Sequence, residues 1–537
     1  MNRTLLHRVD WGVTTLAVLV TIVAFVLARN ALMPSVGFWD TAEFQTFGPV
    51  MGTGHPTGYP TYALIGWFAG VVLQPFGDAA LRMNLLSAIS VAVACGLTVL
   101  LVRQLSGSAI AGAAAGVGLA MTPIVWKIAT HADGHALHLV FVATIFVLLV
   151  AWERERRGTN GWRRAPERLG ADGRGSDRWL IAATFVFAIS LGNHSLTQLL
   201  APAIGLFVLA VDIWIWQRWR LVATCIAVLV VTTVLIYLEL PLRAGPFRAP
   251  LVYGTPQTWD GFTYVVFAEQ FRGAIVDPFG NLGGKLASLL RLSGEQFGAL
   301  GPFIPLGFVA TVLVAPRYAL LSGVAAAVTL FFDASYVNAE ITRYYIGPAF
   351  IAWTWLGVLG GGLAEVIASA IHRARIREVA TGPSTRMARA APRALALVAG
   401  VLLITPSIAA YPTRSAVIDE SGQTGAQVWL DDALTLMKPN AVVVSWWSFS
   451  TPLWYAQRVE HRRMDITIVD DRTRLDENLG ELTDVIDRAL AQGRPVYAIR
   501  LDQREVDLLT NRYVHEPAGV VRPNQLVEVL GRIGAVK

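Results

Sequence analysis

The sequence has few charged residues and few cysteines for its length. Only 15% of its 537 residues are charged, whereas 54% are hydrophobic; soluble domains carry about 25% charged residues. Because the charge deficit is concentrated in long apolar runs, it predicts a membrane protein. The two cysteines, Cys95 and Cys225, both lie inside apolar runs. Neither a structural disulfide nor a cysteine-based zinc site is therefore expected.

The sequence also lacks a glycine-rich phosphate loop of the usual spacing, a His-Glu-x-x-His signature and an internal repeat. The first two absences argue against a soluble nucleotide-binding enzyme and a zinc hydrolase. The net charge is +6, but the arginines lie in short loops between apolar runs. They therefore indicate membrane topology rather than nucleic-acid binding. We expect membrane lipid, and no nucleic acid, among the partners.

Eleven apolar runs of about 15–22 residues are close to the ~20 residues that a membrane-spanning helix needs. The first run lacks a convincing small-residue cleavage site after it, so we predict an uncleaved helix. Together they predict an all-α polytopic body over residues 1–410, with about eleven transmembrane helices. The runs lie at 11–28, 82–103, 109–126, 136–152, 179–193, 196–214, 220–238, 300–315, 318–332, 344–366 and 393–410.

Arginine-rich loops set the predicted orientation. Residues 153–178 contain eight arginines and residues 372–393 contain six, so the positive-inside rule places both loops and the N-terminus in the cytoplasm. A twelfth apolar run, 59–76, would move the first of these loops outside if it crossed the membrane. We therefore predict that 59–76 is a juxtamembrane or re-entrant element on the outer side. The predicted outer segments are 29–81, 127–135, 239–299, 333–343 and everything after residue 410.

The tail, residues 411–537, is polar enough to be soluble. Its short apolar runs at 441–447, 465–469 and 495–501 predict strands, and 476–491 and 503–511 predict helices. Alternating strands and helices indicate a small extracytoplasmic α/β domain. Its aromatic residues could line a sugar or peptide surface or pack in the core of this domain; they are Trp446, Trp447, Trp454 and Tyr455.

The clearest candidate site follows the first span. The stretch Gly37-Phe-Trp-Asp40-Thr-Ala-Glu43-Phe precedes His55-Pro-Thr-Gly-Tyr59-Pro60. Three-residue spacing on a helix would place the two carboxylates on one face. One of them could act as a general base for an attacking hydroxyl, or both could ligate a divalent cation. The alternative is a helix N-cap and a solvated interfacial pair.

These motifs resemble a bacterial family of membrane glycosyltransferases related to protein O-mannosyltransferases, which have the GT-C fold. Thr57 replaces a proline that the family usually has in the second motif. In place of two further family stretches the chain has Ala132-Asp133-Gly134-His135 and Ser445-Trp-Trp-Ser448. The resemblance continues downstream in Leu191-Gly-Asn-His194, Pro241-Leu-Arg243, Tyr253-Gly-Thr-Pro256 and Pro452-Leu-Trp-Tyr-Ala-Gln457.

A second group of polar residues lies in the predicted outer segment 127–135 and just beyond it. It consists of His131, Asp133, His135 and His138. Imidazoles with a carboxylate suit Zn or Mn, so the group could bind a metal. A substrate contact and an interfacial loop with incidental histidines are the other interpretations. His194 beside Asn193 is either a further substrate contact or a buried, satisfied polar pair.

The resemblance implies transfer of a hexose, such as mannose, from a polyprenyl-phosphate donor to a hydroxyl of a protein or glycan, with inversion. It implies Asp40 as the base, with Glu43, His55 and Tyr59 supporting the site or the acceptor. Arginine can hold a phosphate through two hydrogen bonds, so three predicted outer arginines are candidate donor contacts: Arg243, Arg272 and Arg343. For each, a snorkelling side chain or a local ion pair is the alternative.

The sequence identifies no definite cofactor, although a divalent cation at the carboxylates is one possibility. The alternative function is a transporter or flippase of a lipid-linked glycan, which mid-span charges and helices broken in matched halves would favour. The spans here are mostly free of charge at their centres. We therefore rank the inner-membrane glycosyltransferase first.

Overall fold

The computed structural model describes residues 10–157, 174–338, 340–378, 385–500, 502–519 and 526–534. Parts of both arginine-rich loops, 158–173 and 379–384, lie outside these ranges. The prediction that both loops are cytoplasmic therefore falls partly outside the described residues.

In its described residues, the membrane body is built of helices and the segments that connect them. Short 3-10 helices at Gln74–Phe76, Ser195–Leu200, Ile215–Gln217, Glu269–Ala274, Gly298–Phe303 and Ile341–Tyr345 connect or extend its α-helices. The α-helices are α1 (Trp11–Asn30), α2 (Trp39–Val50), α3 (Pro60–Val72), α4 (Ala79–Ser106), α5 (Ala109–Ala120), α6 (Pro123–Ile128), α7 (Gly134–Arg157), α8 (Arg174–Leu191), α9 (Ala201–Val211), α10 (Trp219–Tyr237), α11 (Glu239–Ala244), α12 (Trp259–Val266), α13 (Leu282–Phe297), α14 (Ile304–Val314), α15 (Pro316–Asp333), α16 (Ile346–Glu378), α17 (Thr385–Ala409) and α18 (Tyr411–Ile418).

Each of the eleven predicted spans coincides with one or more of these helices. Six helical segments that the structure describes, named at the end of this paragraph, are long and apolar enough to cross a membrane. The bent pair Ala394–Ala409 and Tyr411–Ile418 makes a seventh if it counts as one span. The protein is thus a multi-pass membrane protein with at least six candidate spans, and the count of eleven stays a prediction. Six helical segments of the described chain are long and apolar enough to cross a membrane: Trp11–Asn30, Ala79–Ser106, Gly134–Arg157, Trp219–Ala244, Leu282–Val314 and Ile341–Ile367.

The apolar run 59–76 forms a short helix. Helix α3 has 13 residues, which is about 20 Å at 1.5 Å per residue, and the 3-10 turn Gln74–Phe76 follows it. The hydrocarbon core of a bilayer is about 30 Å thick. The length of α3 therefore favours the predicted non-crossing element, whose place relative to the membrane stays a prediction.

Small residues let the helices of the body approach closely. A Cβ atom on Gly112 of α5 would lie 2.7 Å from the carbonyl oxygen of Val99 in α4, and one on Gly116 would lie 2.6 Å from that of Cys95. Small residues at such interfaces allow the close van der Waals packing that holds membrane helices together. This packing holds α4 and α5 close together.

The tail contains a mixed five-stranded sheet flanked by helices. The strand order is β2-β1-β3-β5-β4, with β1 parallel to β2 and β3, and β5 antiparallel to β3 and β4. The elements are α19 (Gly425–Leu436), β1 (Val442–Val444), α20 (Trp447–Arg458), β2 (Thr467–Val469), α21 (Asp471–Asp476), α22 (Leu482–Ala491), β3 (Val496–Ala498), α23 (Gln503–Arg512), β4 (Tyr513–Gly519) and β5 (Leu526–Arg532).

Four predicted elements of the tail are shorter than expected. The runs 465–469 and 495–501 are strands only over Thr467–Val469 and Val496–Ala498. The run 441–447 is a strand only over Val442–Val444, because the carbonyl of Trp446 accepts from the N–H of Ser450 and turns the chain into α20. The predicted helix 476–491 begins only at Leu482, where Glu481 and Asp484 form a reciprocal capping box. The prediction missed the hairpin β4–β5.

The tail shares one hydrophobic core with residues between α1 and the start of α4. Phe38, which precedes α2, has its ring centroid 5.8 Å from that of Trp429 and 5.3 Å from that of Phe449. The hydroxyl of Tyr455 accepts a hydrogen bond from the N–H of Ala80, at 3.1 Å. Helix α20 is therefore held against α2, the helix that carries Asp40 and Glu43.

A buried carboxylate adds a polar contact between the tail and the body. Glu420 accepts from the Thr130 hydroxyl at 2.5 Å, lies 2.8 Å from Nδ1 of His131, and pairs with Lys127. Its N–H donates to the carbonyl of Ala31 at 3.0 Å. These contacts fix the start of the tail beside the ends of α1 and α6.

Candidate active site

Helix α2 brings the two acidic residues of the first motif together. Asp40 lies in its first turn and Glu43 one turn later. The ligand atoms of Asp40, Glu43 and His55 all lie within 4.8 Å of one another. The expectation that both carboxylates lie on one face of a helix is confirmed.

Asp40 is held by two groups that are distant in sequence. Nη2 of Arg343, from the 3-10 turn before α16, donates to Oδ2 of Asp40 at 2.6 Å. Nε1 of Trp447, the first residue of α20, donates to Oδ1 at 3.3 Å. Both carboxylate oxygens therefore have a donor, and Asp40 stands where the body and the tail meet.

Glu43 is held by His55 of the second motif. Its two oxygens accept from the backbone N–H of His55 at 2.7 Å and lie 2.5 Å from Nδ1 of the same residue. The other ring nitrogen of His55 lies 3.4 Å from the hydroxyl of Tyr59. The second motif therefore folds back on α2, and Glu43 fixes the orientation of the imidazole.

The pKa values of the two carboxylates are shifted in opposite directions. Burial would raise the pKa of Asp40, but the nearby charges of His55 and Arg343 outweigh burial and the pKa is lowered. Burial also raises the pKa of Glu43, and there His55 does not compensate fully. Burial would lower the pKa of His55, but the Glu43 carboxylate raises it instead. Asp40 is therefore the group that is more firmly ionised.

Asp133 extends the site on the side of Arg343. One of its oxygens lies 2.8 Å from Nδ1 of His135 and the other 3.6 Å from Nη1 of Arg343. The rings of His135 and His194 lie 4.4 Å apart, and Tyr344 lies 5.0 Å from His135. Arg343 thus bridges two carboxylates, and next to Asp133 lies a packed cluster of aromatic and imidazole rings.

The predicted group of His131, Asp133, His135 and His138 does not form one cluster. His131 turns to Glu420, whereas His138 lies 3.3 Å from the hydroxyl of Thr197. Among the residues that the structure describes, the three that could hold a metal ion are Asp40, Glu43 and His55. Two carboxylates and an imidazole are a donor set that suits Zn or Mn.

Two of the three predicted phosphate-binding arginines have partners other than Asp40. The guanidinium of Arg243 donates to the carbonyls of Met51 and Val50 at 2.7 and 3.0 Å, and so ties down the end of α2. Arg272 is exposed and pairs with Glu269 at 3.1 Å. Arg343 is the predicted arginine that the fold brings to the carboxylates.

Trp447 and Tyr344 lie at the carboxylates, a position that the sequence does not predict for either residue. Tyr344 follows Arg343 directly, so its proximity to the site could have been inferred from that residue. The sequence indicates only that Trp446 and Trp447 line a sugar or peptide surface of the tail or pack in its core. The departure from the family pattern at 445–448 was the available signal.

Comparison with known sequences supports the family resemblance that the motifs indicate. The family described as the protein O-mannosyl-transferase TMEM260 N-terminal domain matches residues 40–216. The protein O-mannosyl-transferase TMEM260 of Mus musculus is 27% identical over an alignment of 241 residues that covers 43% of this chain. The match spans 31%, or about a third, of the length of the mouse protein. The resemblance to protein O-mannosyltransferases is confirmed over the part of the chain that carries Asp40, Glu43 and His55.

Comparison with solved structures shows the fold. ArnT from Cupriavidus metallidurans, bound to undecaprenyl phosphate, aligns over 97% of this chain and 98% of its own, with a TM-score of 0.55 and 15% identity. AglB from Archaeoglobus fulgidus, an oligosaccharyltransferase in complex with an inhibitory peptide and a dolichol-phosphate, aligns over 91% and 70%, with a TM-score of 0.51 and 12% identity. The chain therefore has the GT-C fold of these two proteins.

Proposed function

We propose that this protein is a glycosyltransferase that moves a hexose from a polyprenyl-phosphate carrier to an acceptor hydroxyl, with mannose as the first sugar to test. The observation that carries the proposal is the placement of Asp40 between Arg343 and Trp447, beside the Glu43–His55 pair. The match to protein O-mannosyl-transferases supports the class of reaction. ArnT with undecaprenyl phosphate and AglB with dolichol-phosphate support the class of donor.

Asp40 is the proposed general base. Its lowered pKa keeps it ionised at neutral pH, so it can accept the proton of the attacking hydroxyl. The acceptor oxygen then forms a bond to the anomeric carbon while the bond from that carbon to the phosphate oxygen breaks. The phosphate leaves with the electron pair, and a single displacement of this kind inverts the configuration.

Arg343 is the proposed donor contact. Its guanidinium already lies between Asp40 and Asp133, and its Nε atom is buried with no hydrogen-bond partner in the described chain. A donor phosphate that bound there would share the guanidinium with Asp40, and the guanidinium would neutralise the negative charge that develops on the phosphate as it leaves. Phosphate binding would also weaken the ion pair that holds Asp40 and so make its carboxylate a better base.

Glu43 and His55 support this chemistry from the other side. Glu43 fixes the imidazole, and the second ring nitrogen of His55 can contact the acceptor or a sugar hydroxyl next to Tyr59. If a divalent cation binds, Asp40, Glu43 and His55 would hold it. Such an ion would supply positive charge near the leaving phosphate.

We further propose that the site and the tail face the outside of the cell membrane and that the N-terminus is cytoplasmic. The short α3 and the arginine-rich loops support this orientation. Gly77→Cys, in a background without Cys95 and Cys225, should react with an impermeant thiol reagent added from outside. Labelling only after the reagent gains access to the cytoplasmic side would show that the proposed orientation is wrong.

The transferase proposal is tested with purified full-length protein and a panel of labelled polyprenyl-phosphate hexoses. Sugar should pass to peptide or glycan acceptors, and the folded Asp40→Asn variant should fail to transfer it. Failure of every donor with every acceptor, by protein whose fold is intact, would count against a transferase. Movement of the labelled lipid between leaflets without transfer would support the transporter alternative instead.

A further inference from the structure

A polar groove lies next to the candidate active site, between the tail and an outer segment of the body. Its volume is about 490 Å³. One wall is the segment 248–253, and the other is formed by β2 with residues of α20 and α22. Glu43 and Thr53 line its inner end. The groove therefore runs from the surface of the tail to the Glu43–His55 pair.

The groove is rich in arginine. Five arginines line it, against three acidic residues: Arg248, Arg458, Arg472, Arg488 and Arg494, with Glu43, Asp476 and Glu477. Arg472 pairs with Asp476 at 2.8 Å, and Glu43 pairs with His55. Within the described ranges, the other four arginines have no carboxylate within ion-pair distance. Arg248, Arg488 and Arg494 donate to backbone carbonyls instead. The lining of the groove thus carries more positive than negative side chains.

Arg458 is the most unusual of these side chains. It is half-buried, and its Nε atom is buried and has no hydrogen-bond partner among the described residues. A guanidinium withdrawn from water without an anion is unfavourable, so such a group is normally paired. Its position in the wall of the groove points to an anion that comes from outside the chain.

The shape of the groove favours an extended polypeptide. Strand β2 is the outermost strand on its side of the sheet, and it lines the groove. One edge of β2 therefore has no strand partner within the described sheet. An extended peptide can pair its main chain with such an edge and place alternate side chains in pockets.

We propose that this groove binds an acidic, extended segment of the acceptor polypeptide and so delivers a nearby hydroxyl to Asp40. The proposal rests on the transferase function proposed above and specifies its acceptor. Acidic side chains of the acceptor would pair with Arg458 and with the exposed Arg488. The polar walls and the pairing edge of β2 favour polypeptide over the lipid-linked donor as the occupant.

The test measures peptide binding and sugar transfer separately. Full-length protein in detergent is titrated with fluorescent serine- and threonine-containing peptides whose flanking residues are Asp and Glu, Asn and Gln, or Lys. The acidic peptide should bind on the order of tenfold more tightly than its amide counterpart, and more weakly as salt is added. Asp40→Asn should keep this binding, because its defect lies in transfer.

Variants then locate the binding site. Arg458→Gln and Arg488→Gln should each remove most of the preference for the acidic peptide. Arg504→Gln, an exposed arginine of the same domain that does not line the groove, should leave it unchanged. Because Arg488 is exposed, its variant keeps the test valid even if Arg458→Gln does not fold.

The outcomes distinguish this proposal from the transferase function. Equal binding of all three peptides, or equal effects of Arg488→Gln and Arg504→Gln, would overturn the acceptor groove even if sugar is transferred. Binding with the expected charge preference, without transfer from any donor, would keep the groove and remove the transferase function. Loss of donor binding instead of peptide binding in Arg488→Gln would assign the groove to the donor and overturn the proposal.

Discussion

The two carboxylates of α2 lie one helical turn apart, yet they are held in different ways. The partners of Asp40 are 303 and 407 residues away along the chain, whereas the ring that holds Glu43 is 12 residues away. The Asp40 side chain is 23% exposed and that of Glu43 only 2%. Glu43 thus belongs to a local structural motif, and Asp40 to a site that exists only when the body and the tail are assembled.

Substitution of the two carboxylates should separate their roles most strongly. Asp40→Asn should lower the rate of sugar transfer by about a hundredfold or more, the usual loss when a general base is removed. Its thermal stability should change little, because the amide can still accept from Trp447. Glu43→Gln should cost less activity. Equal rate losses in both variants, measured in single-turnover transfer, would remove the distinction between a base and a supporting residue.

Substitution of Arg343 tests the long-range partner of Asp40. Arg343→Ala should weaken donor binding roughly tenfold to a hundredfold, because a charge-assisted contact of about 1.5–3 kcal/mol is lost. The pKa of Asp40 should rise, because the Arg343 charge no longer offsets the effect of burial on that carboxylate. The acidic limb of the pH–rate profile should move to higher pH.

Arg243→Ala is the matched control for Arg343→Ala. The guanidinium of Arg243 binds carbonyls at the end of α2, so we expect a lower melting temperature and an unshifted pH profile. A shift of the profile in Arg243→Ala but not in Arg343→Ala would reverse the roles of the two arginines.

Trp447 tests what the tail contributes to Asp40. Trp447→Phe keeps an aromatic ring and removes the N–H donor, so the rate of transfer should fall by about twofold to tenfold, from a hydrogen bond of about 0.5–1.5 kcal/mol. Trp454→Phe, whose ring lies 5.6 Å from that of Trp447, is the control and should have a smaller effect on the rate. A larger loss in the control would show that packing, and not the hydrogen bond, explains the effect.

Glu420 should affect stability more than the rate. Burial would raise its pKa, but hydrogen bonds from His131, Lys127 and Thr130 lower it to about 2. Since this folded-state value lies below the ordinary 4.5, the contact stabilises the folded state fully above about pH 4.5 and is lost as the pH falls towards 2. Glu420→Gln should cost about 1–3 kcal/mol at pH 7. The difference in melting temperature from the unmodified protein should shrink below pH 4; a constant difference would contradict this linkage.

Local patterns in the chain predicted the local parts of the structure correctly. Each predicted span falls on a helix, because a bilayer requires runs of apolar residues that satisfy their own backbone hydrogen bonds. The three-residue spacing of Asp40 and Glu43 predicted their shared face, since helix geometry is the same in every context. The tail was less predictable: β1 is three residues long and the hairpin β4–β5 carries no strong alternation.

By itself the sequence determined a multi-pass helical protein and an acidic pair on one helix. These features depend on hydropathy and on spacings of a few residues. Only the tertiary structure decided that Arg343 and Trp447 meet Asp40, that Arg243 and His131 turn elsewhere, and that unpaired arginines line a groove beside Glu43. Charge pairing between distant segments follows from how the helices pack and where the tail docks. Spacing along the chain does not encode which of many arginines reaches a given carboxylate.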